Sequence, residues 1–165
     1  MKKTAIIIGS DSDLPIAEKC VEVLKRLEMP FEVRVISAHR TPETAREFAV
    51  NAKSSGFGAI IAIAGKSAAL AGVLAAHTRL PVIGVPVKGS DLGGMDALLS
   101  TAQMPPGVPV ACVAIDGGAN AAWLAARILA DSESGLYERL EKESAKMSES
   151  VMKKDNDIRA RFSQQ

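Results

Sequence analysis

The chain predicts a three-layer α/β fold, with a five-stranded parallel sheet covered by helices on both faces. Three observations carry that expectation. Short β-branched runs alternate with longer segments of helical period, the pattern that parallel crossover units leave in a sequence. Several of those runs hold no polar residue, as strands buried on both faces require. No linker, repeat or low-complexity tract divides the 165 residues, a length suited to one domain.

The elements follow in order. Ala5-Ile6-Ile7-Ile8 reads as the first strand. Asp13-Leu14-Pro15 opens a helix, with proline in its first turn and an acid placed to cap it. Ile16, Cys20, Val23, Leu24 and Leu27 then recur at the helical period, and Pro30 ends the run. Residues 31–36 alternate apolar with charged, which predicts a strand nearer the sheet edge. Thr41-Pro42 opens a second helix, with Ala45, Phe48, Ala49 and Ala52 on its inner face. Residues 59–64 form a third buried strand, followed by a small-residue helix over 67–78. Residues 81–87 and 110–115 supply the fourth and fifth strands. The long connection between them, 88–109, is of a length that is usually functional or holds a helix of its own, for which 96–103 qualifies. A last helix over 120–129 completes a catalytic domain expected to span 1–130.

Residues 131–165 differ in character, being highly charged and nearly free of Gly and Pro. Leu136, Leu140, Met147, Val151, Ile158 and Phe162 still make a sparse stripe at steps of four and seven. Such a stripe predicts a helical extension packed on its own domain or on a neighbouring subunit. The alternative is a solvated, frayed tail over the last ten residues.

Composition excludes several function classes. Twenty Lys+Arg against nineteen Asp+Glu leave a formal charge of +1, which speaks against a polybasic surface for nucleic acid or acidic membranes. Aromatics are 4%, so platforms for stacking bases or flavins are scarce. Cys20 and Cys112 form no CxxC pair and sit in apolar patterns, as buried free thiols do in a reducing compartment. The apolar stretch after Met1-Lys2-Lys3-Thr4 is too short for a signal peptide. No run of about 18 apolar residues is present. A soluble, cytoplasmic protein with no membrane or nucleic-acid partner is expected.

In parallel α/β sheets ligands bind at the carboxyl ends of the strands, near a switch in strand order. The candidate site therefore draws on the segments that follow each strand. Gly9-Ser10-Asp11-Ser12-Asp13 joins a strand to a helix N-terminus, where backbone N–H groups and the helix dipole favour an anion; an ordinary polar turn with a helix cap is the alternative. Asp11 and Asp13 would repel a phosphate, so at least one should face solvent or sugar hydroxyls, and no third acid closes another strand to make a Mg²⁺ site. Ser37-Ala38-His39-Arg40-Thr41-Pro42 places a proton-exchanging His and an anion-binding Arg at a strand end. The other histidine, His77, suits a helix C-terminus better. Gly65-Lys66-Ser67 copies the tail of the ATP phosphate loop, but the first glycine of that motif falls at Ile60, and no GxGxxG or serine nucleophile elbow is present. Gly117-Gly118-Ala119-Asn120 closes the set.

Gly9-Ser10-x-Ser12-Asp13, Ser37-Ala38-His39-Arg40-Thr41-Pro42, Pro81-Val82-Ile83-Gly84-Val85-Pro86-Val87, Gln103-Met104-Pro105 and Asn120-Ala121-Ala122 stand in one family's order and spacing. Over residues 4–130 the chain resembles the N5-carboxyaminoimidazole ribonucleotide mutases of purine biosynthesis, relatives of the aminoimidazole ribonucleotide carboxylases. The resemblance implies a flavodoxin-like sheet, a homo-octamer with sites shared between subunits, and no metal or organic cofactor. The implied reaction moves a carboxylate from the exocyclic nitrogen of a small-molecule ribonucleotide to ring carbon C4. It also implies His39 as the catalytic acid/base, with Ser10, Ser12 and Arg40 on the phosphate and Asp13 on the ribose. Ser37 and Ala38 complete that loop; Gly65, Lys66, Ser67 and Ala68 line the carboxylate pocket; Ser100, Gln103, Met104 and Pro105 cover the substrate.

One departure stands out. The mutases carry Gly-Gly-Ala-Ala-His-Leu-Pro-Gly after the third strand, where this chain has Gly65-Lys66-Ser67-Ala68-Ala69-Leu70-Ala71-Gly72. That loop is similar to the carboxylase branch, whereas Arg40 and Gln103-Met104-Pro105 favour the mutase branch. The mutase reading leads, with direct CO2 carboxylation as its alternative. A flavin-binding module of the same fold is a remote third, since Trp123 falls in a predicted helix and Tyr137 in the tail.

Overall fold

Uninterrupted β-branched runs form the centre of the sheet because both of their faces are covered. The computed structural model describes residues 1–89 and 91–163. Its strands are β1 (Lys3–Ile8), β2 (Phe31–Val35), β3 (Phe57–Gly65), β4 (Val82–Val87) and β5 (Ala111–Cys112). They lie in the order β2-β1-β3-β4-β5, all parallel. The order switches direction at β1 and β3, where loops leave to opposite sides and open a crevice. β2 is an edge strand with Val33 and Val35 exposed, as its charge alternation predicts.

Two apolar layers flank the sheet. On one face Ile6, Ile8, Ile61 and Ile63 pack beneath α1 (Leu14–Arg26) and α5 (Gly118–Ala130), through Cys20, Leu24, Ala122 and Ala125. On the other, Ile7, Ile60 and Ala62 meet α2 (Pro42–Asn51) and α3 (Leu70–His77), through Phe48, Ala49 and Leu74. Each fully buried Leu or Ile contributes roughly 1.5–3 kcal/mol. α1 and α5 touch main chain to main chain. A Cβ added at Gly118 would lie 2.3 Å from the Ile16 carbonyl oxygen, and the Cys20 thiol donates to the Gly118 carbonyl at 3.1 Å. α4 (Met95–Ala102) crosses β4 with Thr101 over Gly84, where a side chain would have no room.

The expected fold class is present, and local differences have local causes. The first helix is capped three residues earlier than Asp13 suggests. Ser10 caps a 3-10 turn (Asp11–Asp13) that leads into α1, and Asp13 reaches back to the Ser10 N–H in a capping box. α3 begins at Leu70 rather than 67 because Lys66 takes a left-handed backbone (φ 54°) and Ala68 N–H closes a turn onto the Gly65 carbonyl at 3.1 Å. β5 is two residues long instead of six. Val113 and Asp116 still donate to the Gly84 and Pro86 carbonyls (3.1 and 2.9 Å), but the spacing slips by one residue and Pro86 has no N–H to return.

Residues 136–162 form one helix, α6 (Leu136–Phe162). Its base is fixed to the domain. Leu136 is buried, Arg139 Nε donates to the Leu27 carbonyl that ends α1 (2.8 Å), and just before it the Glu133 carboxylate accepts from the Lys2 N–H (3.0 Å). Further along, Met147, Val151, Ile158 and Phe162 are exposed. The last two residues of the predicted extension, 164 and 165, lie outside the described residues. Among the described residues no helix is long and apolar enough to cross a membrane.

Candidate functional site

Four loops at the carboxyl ends of β1, β2, β3 and β4 enclose a cavity of about 600 Å³. The loop after β1 contributes Gly9, Ser10, Ser12 and Asp13; the loop after β2 contributes Ser37, Ala38, His39 and Arg40; residues 64–70 and 87–89 close the other side. Of the residues singled out from sequence, Ser10, Ser12, Asp13, Ser37, Ala38, His39, Arg40, Gly65, Lys66, Ser67 and Ala68 all border this space. Among the described residues the lining holds no Phe, Tyr or Trp, while Trp123 lies in α5 with Arg26 over its ring at 5.9 Å. Among the described residues no group of three His, Cys, Asp or Glu side chains is placed to hold a metal ion.

The loop after β2 is held by its own hydroxyls. Thr41 N–H and Oγ1–H both donate to the Ser37 carbonyl (2.8 and 2.9 Å), and Ser37 N–H donates to Thr41 Oγ1 (3.1 Å). Ser37 Oγ accepts from Arg40 N–H at 3.2 Å and from Arg40 Nε at 3.5 Å. Ser37 therefore orients Arg40. Pro42 begins α2 directly behind, so the loop cannot extend the helix backward. The His39 and Arg40 side chains are left exposed beside the cavity.

The loop after β1 is more self-contained than its anion-site reading suggests. Ser10 Oγ–H donates to Asp11 (3.1 Å), and Ser12 Oγ–H donates to Asp13 (3.4 Å). A bound phosphate would have to turn both hydroxyls away from these acids. Asp11 is exposed, whereas Asp13 is buried. Burial pushes the Asp13 carboxyl above its usual range, against the pull of hydrogen bonds from Ser10 and Ser12; nearby Asp11 adds a smaller push.

Lys66 leaves the cavity rim toward solvent. Its ammonium pairs with Asp91 at 3.0 Å, both side chains being largely exposed. That hydrogen bond, with the Asp91 charge behind it, holds the ammonium above the usual lysine range.

Ser100, Gln103, Met104 and Pro105 do not line this chain's own cavity. Ser100 and Gln103 are exposed, and Met104 rests on α3 beside Gly72. Gly118 likewise serves the contact between α1 and α5 rather than the site. Sequence reasoning counted the segment 88–109 in the candidate site but gave no role to Lys88, whose side chain stands exposed at the rim and whose N–H is fixed by Asp116 Oδ1 at 2.9 Å. Its signal was its place directly after β4. Ala69, Leu70 and Val87 also border the cavity and carry no chemical signal of their own.

The model of the AIR carboxylase family matches residues 3–150. The chain is similar to the N5-carboxyaminoimidazole ribonucleotide mutase of Pyrococcus abyssi, 54% identical over 142 residues that span 86% of this chain and 82% of that protein. It is 51% identical over 157 residues to the protein of the same name from Methanocaldococcus jannaschii, covering 95% and 98% of the two chains. The crystal structure of Treponema denticola PurE superposes with a TM-score of 0.86 at 27% identity, over 94% of this chain and 98% of that one. With the family model matched across the whole α/β domain and such identity to full-length relatives, the chain belongs to the AIR carboxylase family.

Proposed function

We propose that the four-loop cavity is the site at which this chain, an N5-carboxyaminoimidazole ribonucleotide mutase of purine biosynthesis, moves a carboxylate from the exocyclic nitrogen of its ribonucleotide to C4. The enzyme is an isomerase. The observation that carries the assignment of the site is the convergence of His39, Arg40 and the serine loop on one space at the strand ends, walled on its far side by small residues.

The chemistry divides among these groups. The nitrogen takes a proton, its bond to the carboxylate breaks, and CO2 is released into the cavity. C4 then attacks the CO2 carbon, and the C4 proton leaves. His39 supplies the first proton and receives the last, so the enzyme ends as it began. Gly65, Ser67, Ala68 and Ala69 leave room for CO2, and confinement beside C4 raises its effective concentration. Arg40, oriented by Ser37, takes the phosphate together with Ser10 and Ser12. Asp13 takes ribose hydroxyls with the lone pairs its capping bonds leave free.

The same reading makes the working unit a cytoplasmic octamer, with residues 131–165 as an extension that packs between subunits. Ser100, Gln103, Met104 and Pro105 then cover a neighbour's cavity. Their distance from their own cavity supports this, as do the exposed Leu92, Met95 and Leu99 beside them. The test supplies the purified protein with the N-carboxylated nucleotide without bicarbonate, then the uncarboxylated nucleotide with bicarbonate. Faster turnover of the first is expected; clear preference for the second assigns direct carboxylation.

A further inference from the structure

Lys66 occupies a backbone position that disfavours it. The turn from Gly65 to Ala68 needs a positive φ at its second residue, where glycine or asparagine is the usual choice, and Lys66 holds φ 54° there. Its ammonium pairs with Asp91 at 3.0 Å, between side chains 73% and 69% exposed. An ion pair so open to solvent returns little stability, so the fold gains little from a lysine at this strained point. Strain kept at the rim of a binding cavity points to use. The flexible four-carbon stem of a lysine lets its ammonium sweep from the Asp91 side to the cavity side without moving the turn.

We propose that Lys66 is a specificity-determining residue: it leaves its pair with Asp91 and swings to the ligand's carboxylate when a carboxylated nucleotide binds. The proposal rests on the carboxylate-transfer reading given above. The ammonium then recognises the carboxylate and leaves the phosphate to Arg40. It is a second cationic contact, from the loop after β3 rather than the His39 loop after β2. Asp91 competes with the ligand for the same cation and so tunes how tightly a carboxylated nucleotide is held.

The test measures calorimetric binding of two probes to the intact protein, 4-carboxy-5-aminoimidazole ribonucleotide and the same nucleotide without its carboxylate. Lys66→Gly, which suits the turn, is expected to weaken the carboxylated probe about tenfold and to change the other less than twofold. Lys66→Met, which keeps the Cβ and loses the charge, is expected to give the same split. Asp91→Asn is expected to tighten the carboxylated probe alone. Equal losses for both probes, or none, overturn the proposal while leaving the carboxylate-transfer reading intact. Failure of the parent protein to bind either nucleotide overturns both.

Discussion

Gly118→Ala puts the packing argument to a quantitative trial. The added Cβ would stand 2.3 Å from the Ile16 carbonyl oxygen, 3.0 Å from Ile16 Cγ2 and 3.2 Å from Cys20 Sγ. Carbon and oxygen resist approach closer than about 3.3 Å, so the helices must part by about 1 Å. The obstacle is main chain in α1, and no flexible side chain can yield in its place. Overpacking of this kind costs about 1–3 kcal/mol. For a chain of this size each kcal/mol moves the melting temperature by about 2–4 °C, which places the expected drop at roughly 2–12 °C. Thermal unfolding followed by circular dichroism, at one fixed protein concentration because any self-association would shift the midpoint, reads the effect. An unchanged or raised midpoint would show that α1 and α5 have slack, and would refute the reasoning.

Three further outcomes follow from the same geometry. Arg40→Ala should weaken nucleotide binding by the equivalent of about 1.5–3 kcal/mol and barely touch a phosphate-free analogue; equal losses in titration calorimetry would make Arg40 structural. Asp13→Asn keeps both polar contacts, since the amide oxygen can accept from Ser10 N–H and its NH2 can donate to Ser12 Oγ. The raised carboxyl binds its proton more tightly folded than unfolded, so its charge costs stability above the ordinary carboxylate range and costs nothing below it. The variant should therefore gain on the parent as pH rises through the acid range, and lose that advantage on acidification, in parallel denaturation curves. Burial pushes the Cys20 thiol up to about 12, so a thiol reagent at pH 8 should leave Cys20 unmodified in the native protein and modify it on unfolding; mass spectrometry of the labelled peptides gives the answer.

The parallel sheet was legible because its central strands announce themselves. Residues 5–8 and 59–63 hold only apolar side chains, and both sides of each strand are covered. The short β5 was not legible, because the limit is set by a missing N–H at Pro86 on the neighbouring strand rather than by the β-branched run itself. In the site, residue types pointed to loops that border one cavity but not to each side chain's task. Ser37 orients Arg40, and Asp13 caps the turn before α1; a polar residue in a motif does not disclose whether it faces a ligand or its own main chain. Gln103 and Met104 stood out by motif, yet neither borders the cavity, and Met104 rests on α3 beside Gly72. Lys66 was legible as a departure from the family loop, while its left-handed backbone and its partner Asp91 emerged only with the fold.

The central claim is that His39 moves the protons in this cavity, and one comparison tests it most directly. His39→Asn removes the titrating ring at an exposed position, so the fold and nucleotide affinity should stay near those of the parent. Conversion of the N-carboxylated nucleotide at saturating concentration, followed as formation of the 4-carboxy product, should fall by about 10²- to 10⁴-fold or more. Turnover close to the parental rate in a variant that still binds nucleotide would contradict the account and send the search for the acid/base to another group on the cavity wall.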